Sequence, residues 1–154
     1  MKMNSMDSSI FKTYDIRGIY PSEVNECIAE LVGKAFSFFL KNDTKKNDVS
    51  IVVASDMRIS SPKLKESLIQ GLMDQGAKVI DIGLSSSPTF YFTVAHFDYD
   101  GGIIVTASHN PAEYNGFKMV RKQAIPISKE TGITDIKELI EQNKKLKQLD
   151  KLKN

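Results

Sequence analysis

Continuous apolar runs over 49–54, 78–82 and 103–106 alternate with stretches of helical period, and this alternation limits the fold more than any other feature of the 154-residue chain. A short apolar run bounded by turn residues reads as a buried strand. Between the first two runs, Leu64, Leu68, Leu72 and Met73 give the inner face of a helix. Ser61 and Pro62 open that helix, with proline at the first helical position, and Gly76 closes it. Between the second and third runs, Ser87 and Pro88 repeat the opening signal for a helix reaching about residue 97. Two successive strand–helix–strand crossovers imply parallel neighbours in one sheet, with helices on both faces.

The flanks fit the same frame. Residues 11–17 read as a first strand. From Ser22, which can cap a helix for about 1 kcal/mol, Ile28, Leu31, Val32, Ala35, Phe36, Phe39 and Leu40 fall at helical spacing. A charged turn is expected over 42–48, a further strand over 116–121, and a last helix opened by 128–131. That helix carries an apolar stripe of Ile136, Leu139, Ile140, Leu146, Leu149 and Leu152. The expected class is α/β, a three-layer α/β/α sandwich on a mixed, largely parallel sheet. Residues 1–10 form an N-terminal extension, 11–142 the domain, and 143–154 a lysine-rich helical tail or linker.

A chain of this length buries most of its apolar surface as one domain without staples. Cys27 is the only cysteine, so no internal disulfide forms; a small buried helix residue in a reducing cytoplasm is expected. No apolar stretch approaches the roughly 18 residues of a membrane span. Net charge is +2, but residues 143–154 hold five lysines against one aspartate, which leaves −2 on the rest. Basic charge without interleaved aromatic residues is not a nucleic-acid signature, so neither nucleic acid nor membrane is an expected partner. The apolar stripe running into the tail suggests self-association through the C-terminal helix.

The run Gly101–Val105 ends abruptly in Thr106-Ala107-Ser108-His109-Asn110-Pro111. A strand cannot continue through that sequence, so Ser108 is expected at the tip of a loop on a rigid scaffold, where chemistry concentrates. Ligands of such sheets lie beyond the carboxyl ends of the strands, where Ser55, Ser85 and Ser108 would converge. A serine-hydrolase reading would use Ser108 with His96 or His109 as base. It lacks a G-x-S-x-G elbow, and side chains adjacent in sequence seldom pair as base and nucleophile. His96 follows the apolar stretch of a helix and is expected to be packed or exposed, without a chemical role.

The segment T-A-S-H-N-P, followed by Tyr114-Asn115-Gly116-Phe117-Lys118, resembles the active-site serine loop of the α-D-phosphohexomutases, the phosphoglucomutase/phosphomannomutase family. Tyr14-Asp15-Ile16-Arg17-Gly18, the block Asp56-Met57-Arg58 with Ser60-Ser61-Pro62, and Gly83-Leu84 with Ser87-Pro88-Thr89 resemble its other blocks in order and spacing. The likeness runs from about Phe11 to Ile136 and describes the first domain of that family. Ala54-Ser55 before Asp56 depart from it, since relatives often carry glycine and a larger residue there.

The resemblance implies that Ser108 carries a phosphoryl group, which passes to a hexose phosphate and returns from the bisphosphorylated sugar. The net change moves phosphate between O1 and O6. It also implies His109 and Lys118 as candidates for proton transfer or charge stabilisation, and Arg17 as a planar fork for phosphate oxygens. Tyr14 and Asn110 are further candidates for contacting phosphate or substrate. Asn110 and Asn115 are also expected to shape the loop, and Asp56 and Arg58 to brace each other and the loop. Magnesium, bound by Ser108 through its phosphate, and a hexose 1,6-bisphosphate are the implied cofactors. The family's D-x-D-x-D metal loop belongs to a second domain, and Asp98 with Asp100 is the nearest approach to it here. This chain is therefore expected to be domain I alone, inactive without domains II–IV. The other reading is a free-standing, non-catalytic module that binds a phosphosugar or a protein.

Overall fold

The computed structural model describes residues 6–152, with side chains through residue 143. In chain order the elements are β1 (Ile16–Ile19), α1 (Glu26–Thr44), β2 (Ser50–Ser55), α2 (Ser61–Asp74), β3 (Lys78–Leu84), α3 (Ser87–His96), β4 (Gly101–Val105), β5 (Tyr114–Arg121), β6 (Ile125–Pro126) and α4 (Thr134–Leu152). The sheet order is β1-β5-β4-β2-β3, and β6 also pairs with β5. Strands β4, β2 and β3 are mutually parallel, whereas β5 runs antiparallel to β4 and β1 antiparallel to β5. The expected mixed, largely parallel sheet is present.

Alternation along each strand divides the core in two. Ile51, Val53, Ile103, Val105, Phe117 and Met119 join the inner faces of α1, α2 and α4. Val52, Ala54, Ile104 and Val120 face the other way and pack with Phe90 and Val94 of α3. Three layers result, with the sheet in the middle. Each fully buried large apolar side chain contributes about 1.5–3 kcal/mol. Helices α1 and α2 touch backbone to backbone: a Cβ on Gly33 would lie 2.4 Å from the Leu68 carbonyl oxygen, and one on Gly71 2.1 Å from that of Glu30.

Several local expectations change. The first strand begins at Ile16, not at residue 11; Phe11 makes only a bridge to Ile16. The chain between them folds back, with Lys12 N–H donating to the Asp15 carbonyl at 2.8 Å. Asn25, not Ser22, caps α1, its side chain accepting from Ile28 N–H at 3.1 Å. Residues 22–24 instead belong to a turn in which Glu23 and Val24 N–H both donate to the Ile19 carbonyl. The helix runs to Thr44, and Lys45 ends it in left-handed conformation (φ 57°) inside the expected turn. All seven apolar residues expected on its inner face are buried. Cys27 sits one position off that face and is exposed, contrary to expectation.

Ser60 precedes α2, which places Pro62 at the second helical position. Met73 is 57% exposed, since it lies about 100° around the helix from Leu72. Ser128 forms a capping box with Thr131, but it opens a π-helical turn (Lys129–Ile133) before α4. Ile136 and Ile140 of the expected stripe are buried; Leu146, Leu149 and Leu152 lie outside the described side chains. Ile10 is packed in the core, so the folded unit includes residues before position 11.

Candidate active site

Three parallel strands end at the same sheet edge, and their loops are stitched together there. Ser85 N–H donates to the Ser55 carbonyl and Asp56 N–H to that of Val105, both at 3.0 Å. Antiparallel β5 starts at this edge, and Thr106 N–H donates to the Gly116 carbonyl at 2.9 Å. Ser55 and the Ser108 loop therefore share one rim with Ser85, as the sequence pattern anticipated.

Ser108 is exposed and has φ 55°, the left-handed region that a β-carbon disfavours by roughly 1–2 kcal/mol. A partly buried polar chain sustains it. Its N–H donates to Thr106 Oγ1 at 3.0 Å, and that hydroxyl donates to Asp56 Oδ2 at 2.7 Å. Asp56 Oδ1 accepts from Arg58 N–H and from the Ser61 hydroxyl. Arg58 Nε donates to Asp56 Oδ2 at 3.2 Å. Its terminal nitrogens donate to the carbonyls of Ser108, Asn110, Pro111 and Tyr114 at 2.7–3.0 Å. The expected bracing of the loop by Asp56 and Arg58 is present.

The left-handed turn at Ser108 brings its Oγ to 3.1 Å from His109 Nδ1. Neighbouring side chains do meet here, against the sequence-based expectation. The imidazole has no other hydrogen-bond partner among the described residues, so no carboxylate completes a hydrolase triad. His96 lies elsewhere, exposed at the end of α3 and stacked on Phe92 at 4.7 Å between centroids.

Asn110 donates its side-chain amide to the Ala107 carbonyl at 2.7 Å, which engages it in shaping the loop. Asn115 is wholly buried and donates to Ser60 and Ser61 hydroxyls, tying β5 to the start of α2. Gly116 lets β1 approach closely: a Cβ there would stand 2.0 Å from the Ile16 carbonyl oxygen. That approach sets Arg17 opposite Gly116. Lys118 pairs with Ile104 on β4. Strand alternation puts Arg17 and Lys118 on the same sheet face, the one shared with Ile104 and Val120. Arg17 lies 3.9 Å from Asp15, while Lys118 is half-buried with no partner among the described residues. Tyr14 is 66% exposed in the turn before β1 and makes no hydrogen bond to the serine loop.

Sequence reasoning overlooked Thr106. Its signal was a hydroxyl two residues before the serine, with a carboxylate just past the neighbouring strand. No group of acidic, histidine or cysteine side chains that could hold a metal occurs among the described residues. Both Asp56 oxygens are engaged. Asp100 is buried at the opposite sheet edge, held by Lys46 and Ser50, and Asp98 pairs with Lys122. The residues described here do not build a magnesium site. The cleft bordering the loop, between Ile59, Ser60 and Lys63 and the Ala112–Glu113 segment, holds 190 Å³. That is below the roughly 300 Å³ of a small-molecule site.

The family model for the phosphoglucomutase/phosphomannomutase alpha/beta/alpha domain I matches residues 8–147. The chain belongs to this family. A phosphomannomutase of Escherichia coli is 51% identical over 133 residues, which cover 86% of this chain and 28% of that protein. One from Klebsiella pneumoniae is 50% identical over the same share of this chain and 81% of its own length. This domain thus spans less than a third of the Escherichia coli relative and about four fifths of the Klebsiella one. A crystal structure of a phosphoglucomutase/phosphomannomutase family protein from Burkholderia thailandensis superposes with a TM-score of 0.81 at 32% identity. That match covers 91% of this chain and 31% of the solved one.

Proposed function

We propose that this domain carries the phosphoserine of a phosphohexomutase, which interconverts hexose 1-phosphate and hexose 6-phosphate through a bisphosphorylated sugar. The observation that carries the reading is Ser108 itself: exposed, in left-handed backbone, 3.1 Å from an imidazole, on a loop locked to three strands. In the forward half-reaction the bond between phosphorus and Ser108 Oγ breaks, and a bond to a sugar hydroxyl oxygen forms. The hydroxyl loses its proton, and Oγ leaves as an alkoxide that takes one up. In the return step the other sugar phosphate transfers to Oγ, and His109 Nδ1 is within reach of the proton that Oγ gives up.

Lys118 and Arg17 share one face of neighbouring strands and supply positive charge to the transferring phosphoryl group. Phosphoryl transfer depends chiefly on positioning and charge neutralisation. Tyr14 and Asn110 complete the proposed contacts to substrate and phosphate, Asn110 through the loop it shapes. Magnesium, when bound through the Ser108 phosphate, would neutralise charge on that group; its remaining ligands lie outside the residues described here. Hexose 1,6-bisphosphate would charge the serine. Domains II–IV are the proposed partners, since the family model matched here is that of domain I and the match covers 28% of the Escherichia coli relative. Charge stabilisation is worth about 10³–10⁵ in such reactions and general-base help about 10²–10⁴. This domain alone is therefore expected to turn over negligibly.

The proposed setting is the cytoplasm, which suits an exposed free thiol at Cys27. No described helix is long and apolar enough to cross a membrane. Self-association through the C-terminal helix α4 is a further part of the proposal; beside its Leu139, Phe38 of α1 is 46% exposed. A strict monomer in concentrated sedimentation runs removes that part.

The test of function is a chimera in which residues 8–147 replace the matching segment of the Escherichia coli relative. Mutase activity that disappears with Ser108→Ala is expected. A chimera that keeps its activity after Ser108→Ala refutes the proposal.

A further inference from the structure

A guanidinium has five N–H donors, and every one on Arg58 is engaged. One goes to Asp56 and the other four to backbone carbonyls of a single segment, those of Ser108, Asn110, Pro111 and Tyr114. The side chain is 12% exposed, so this cation is no surface ornament. Gathering four carbonyl oxygens on one cation has two consequences. It neutralises four negative dipole ends that would otherwise be left open to repel an anion at the loop. It also fixes the backbone of the loop, and with it the left-handed torsion that an L-residue resists. The His109 amide N–H has no partner among the described residues, and so stays available to an anion.

We propose that Arg58 is the positioning residue of the phosphoryl-carrier loop. Its fork, rather than its charge alone, holds Ser108 in the conformation that brings Oγ to His109 and keeps the loop carbonyls off the phosphate. This rests on the reading of Ser108 given above. Lysine retains the charge but presents three protons on one atom, and it cannot span four carbonyls distributed over seven residues.

Amide NMR of the whole chain, with inorganic phosphate as the probe, tests the proposal. In the unsubstituted protein, phosphate shifts the Ser108 and His109 amide signals saturably. Arg58→Lys and Arg58→Gln keep the signals of the sheet, yet bind phosphate at least about tenfold more weakly, lysine no better than glutamine. The Ser108 amide, bonded to Thr106, loses exchange protection by a similar factor in both. Methylguanidine added to Arg58→Ala restores phosphate binding and protection together. Arg58→Lys with undiminished phosphate affinity and a protected Ser108 amide overturns the proposal. That milder variant decides the matter should Arg58→Gln fail to fold. If the unsubstituted protein ignores phosphate while Ser108 still loses protection in Arg58→Lys, the claim that the fork clears the loop for phosphate is overturned and the positioning of Ser108 stands, the carrier reading being decided separately by the chimera.

Discussion

Thr106→Val is the sharpest perturbation of the loop, because it removes one hydroxyl and leaves the shape almost unchanged. Thr106 is 5% exposed, and its Oγ1 both donates to Asp56 and accepts from Ser108 N–H. A hydrogen bond to a charged group contributes about 1.5–3 kcal/mol and a neutral one about 0.5–1.5. The lower ends apply here. Asp56 Oδ2 keeps Arg58 Nε at 3.2 Å, so the carboxylate is not left bare. The Ser108 amide lies near solvent and can take water instead. The expected loss is about 2 kcal/mol, which for a domain of this size lowers Tm by roughly 4–8 °C. Urea denaturation gives the free energy, and a double-mutant cycle with Asp56→Asn should return a coupling of about 1 kcal/mol. A loss below about 0.5 kcal/mol, with an unchanged Ser108 amide exchange rate, refutes the idea that this hydroxyl holds the serine in place.

Three further outcomes are expected. Gly116→Ala drives a methyl into the Ile16 carbonyl, so it should cost more than about 3 kcal/mol and detach β1 with Arg17; near-wild-type denaturation would contradict the close packing. Lys118→Met should alter stability by less than about 0.5 kcal/mol, because the ammonium has no partner among the described residues; a larger loss in urea denaturation points to a structural role. Burial pushes the Asp100 carboxyl up, but hydrogen bonds from Lys46 and Ser50 outweigh it and hold the group below its ordinary value. Its contribution to stability is present above the ordinary aspartate value, about 3.9, and is lost as pH falls through the lower folded value. Asp100→Asn should therefore flatten the acid limb of the stability curve, and identical acid limbs would remove Asp100 from it.

The helices and central strands were legible because their signals are local. Leu64, Leu68 and Leu72 fall on one stripe, and the run before Ser55 leaves no alternative to a buried strand. Boundaries were less so. Ser22 and Asn25 are both good caps, and the choice of Asn25 depends on turn bonds to the Ile19 carbonyl that no local pattern reveals. Cys27 fails for a related reason: a small apolar residue on an amphipathic helix is buried only if its angle fits. At the site, Ser108 could be singled out because its strand ends so abruptly. The contact with His109 could not be foreseen, since it depends on one positive φ. The bracing by Arg58 was anticipated, but not which four carbonyls it gathers, fifty or more residues along the chain. The class of residue can be read locally, but a network closing between strand ends becomes visible only in three dimensions.

The most direct measurement is the intact mass of the protein after exposure to a hexose 1,6-bisphosphate and magnesium in the presence of its partner domains. We predict a gain of one phosphate that maps to Ser108 and vanishes in Ser108→Ala. A phosphate that persists in that variant, or maps to another residue, contradicts the assignment of Ser108 as the carrier.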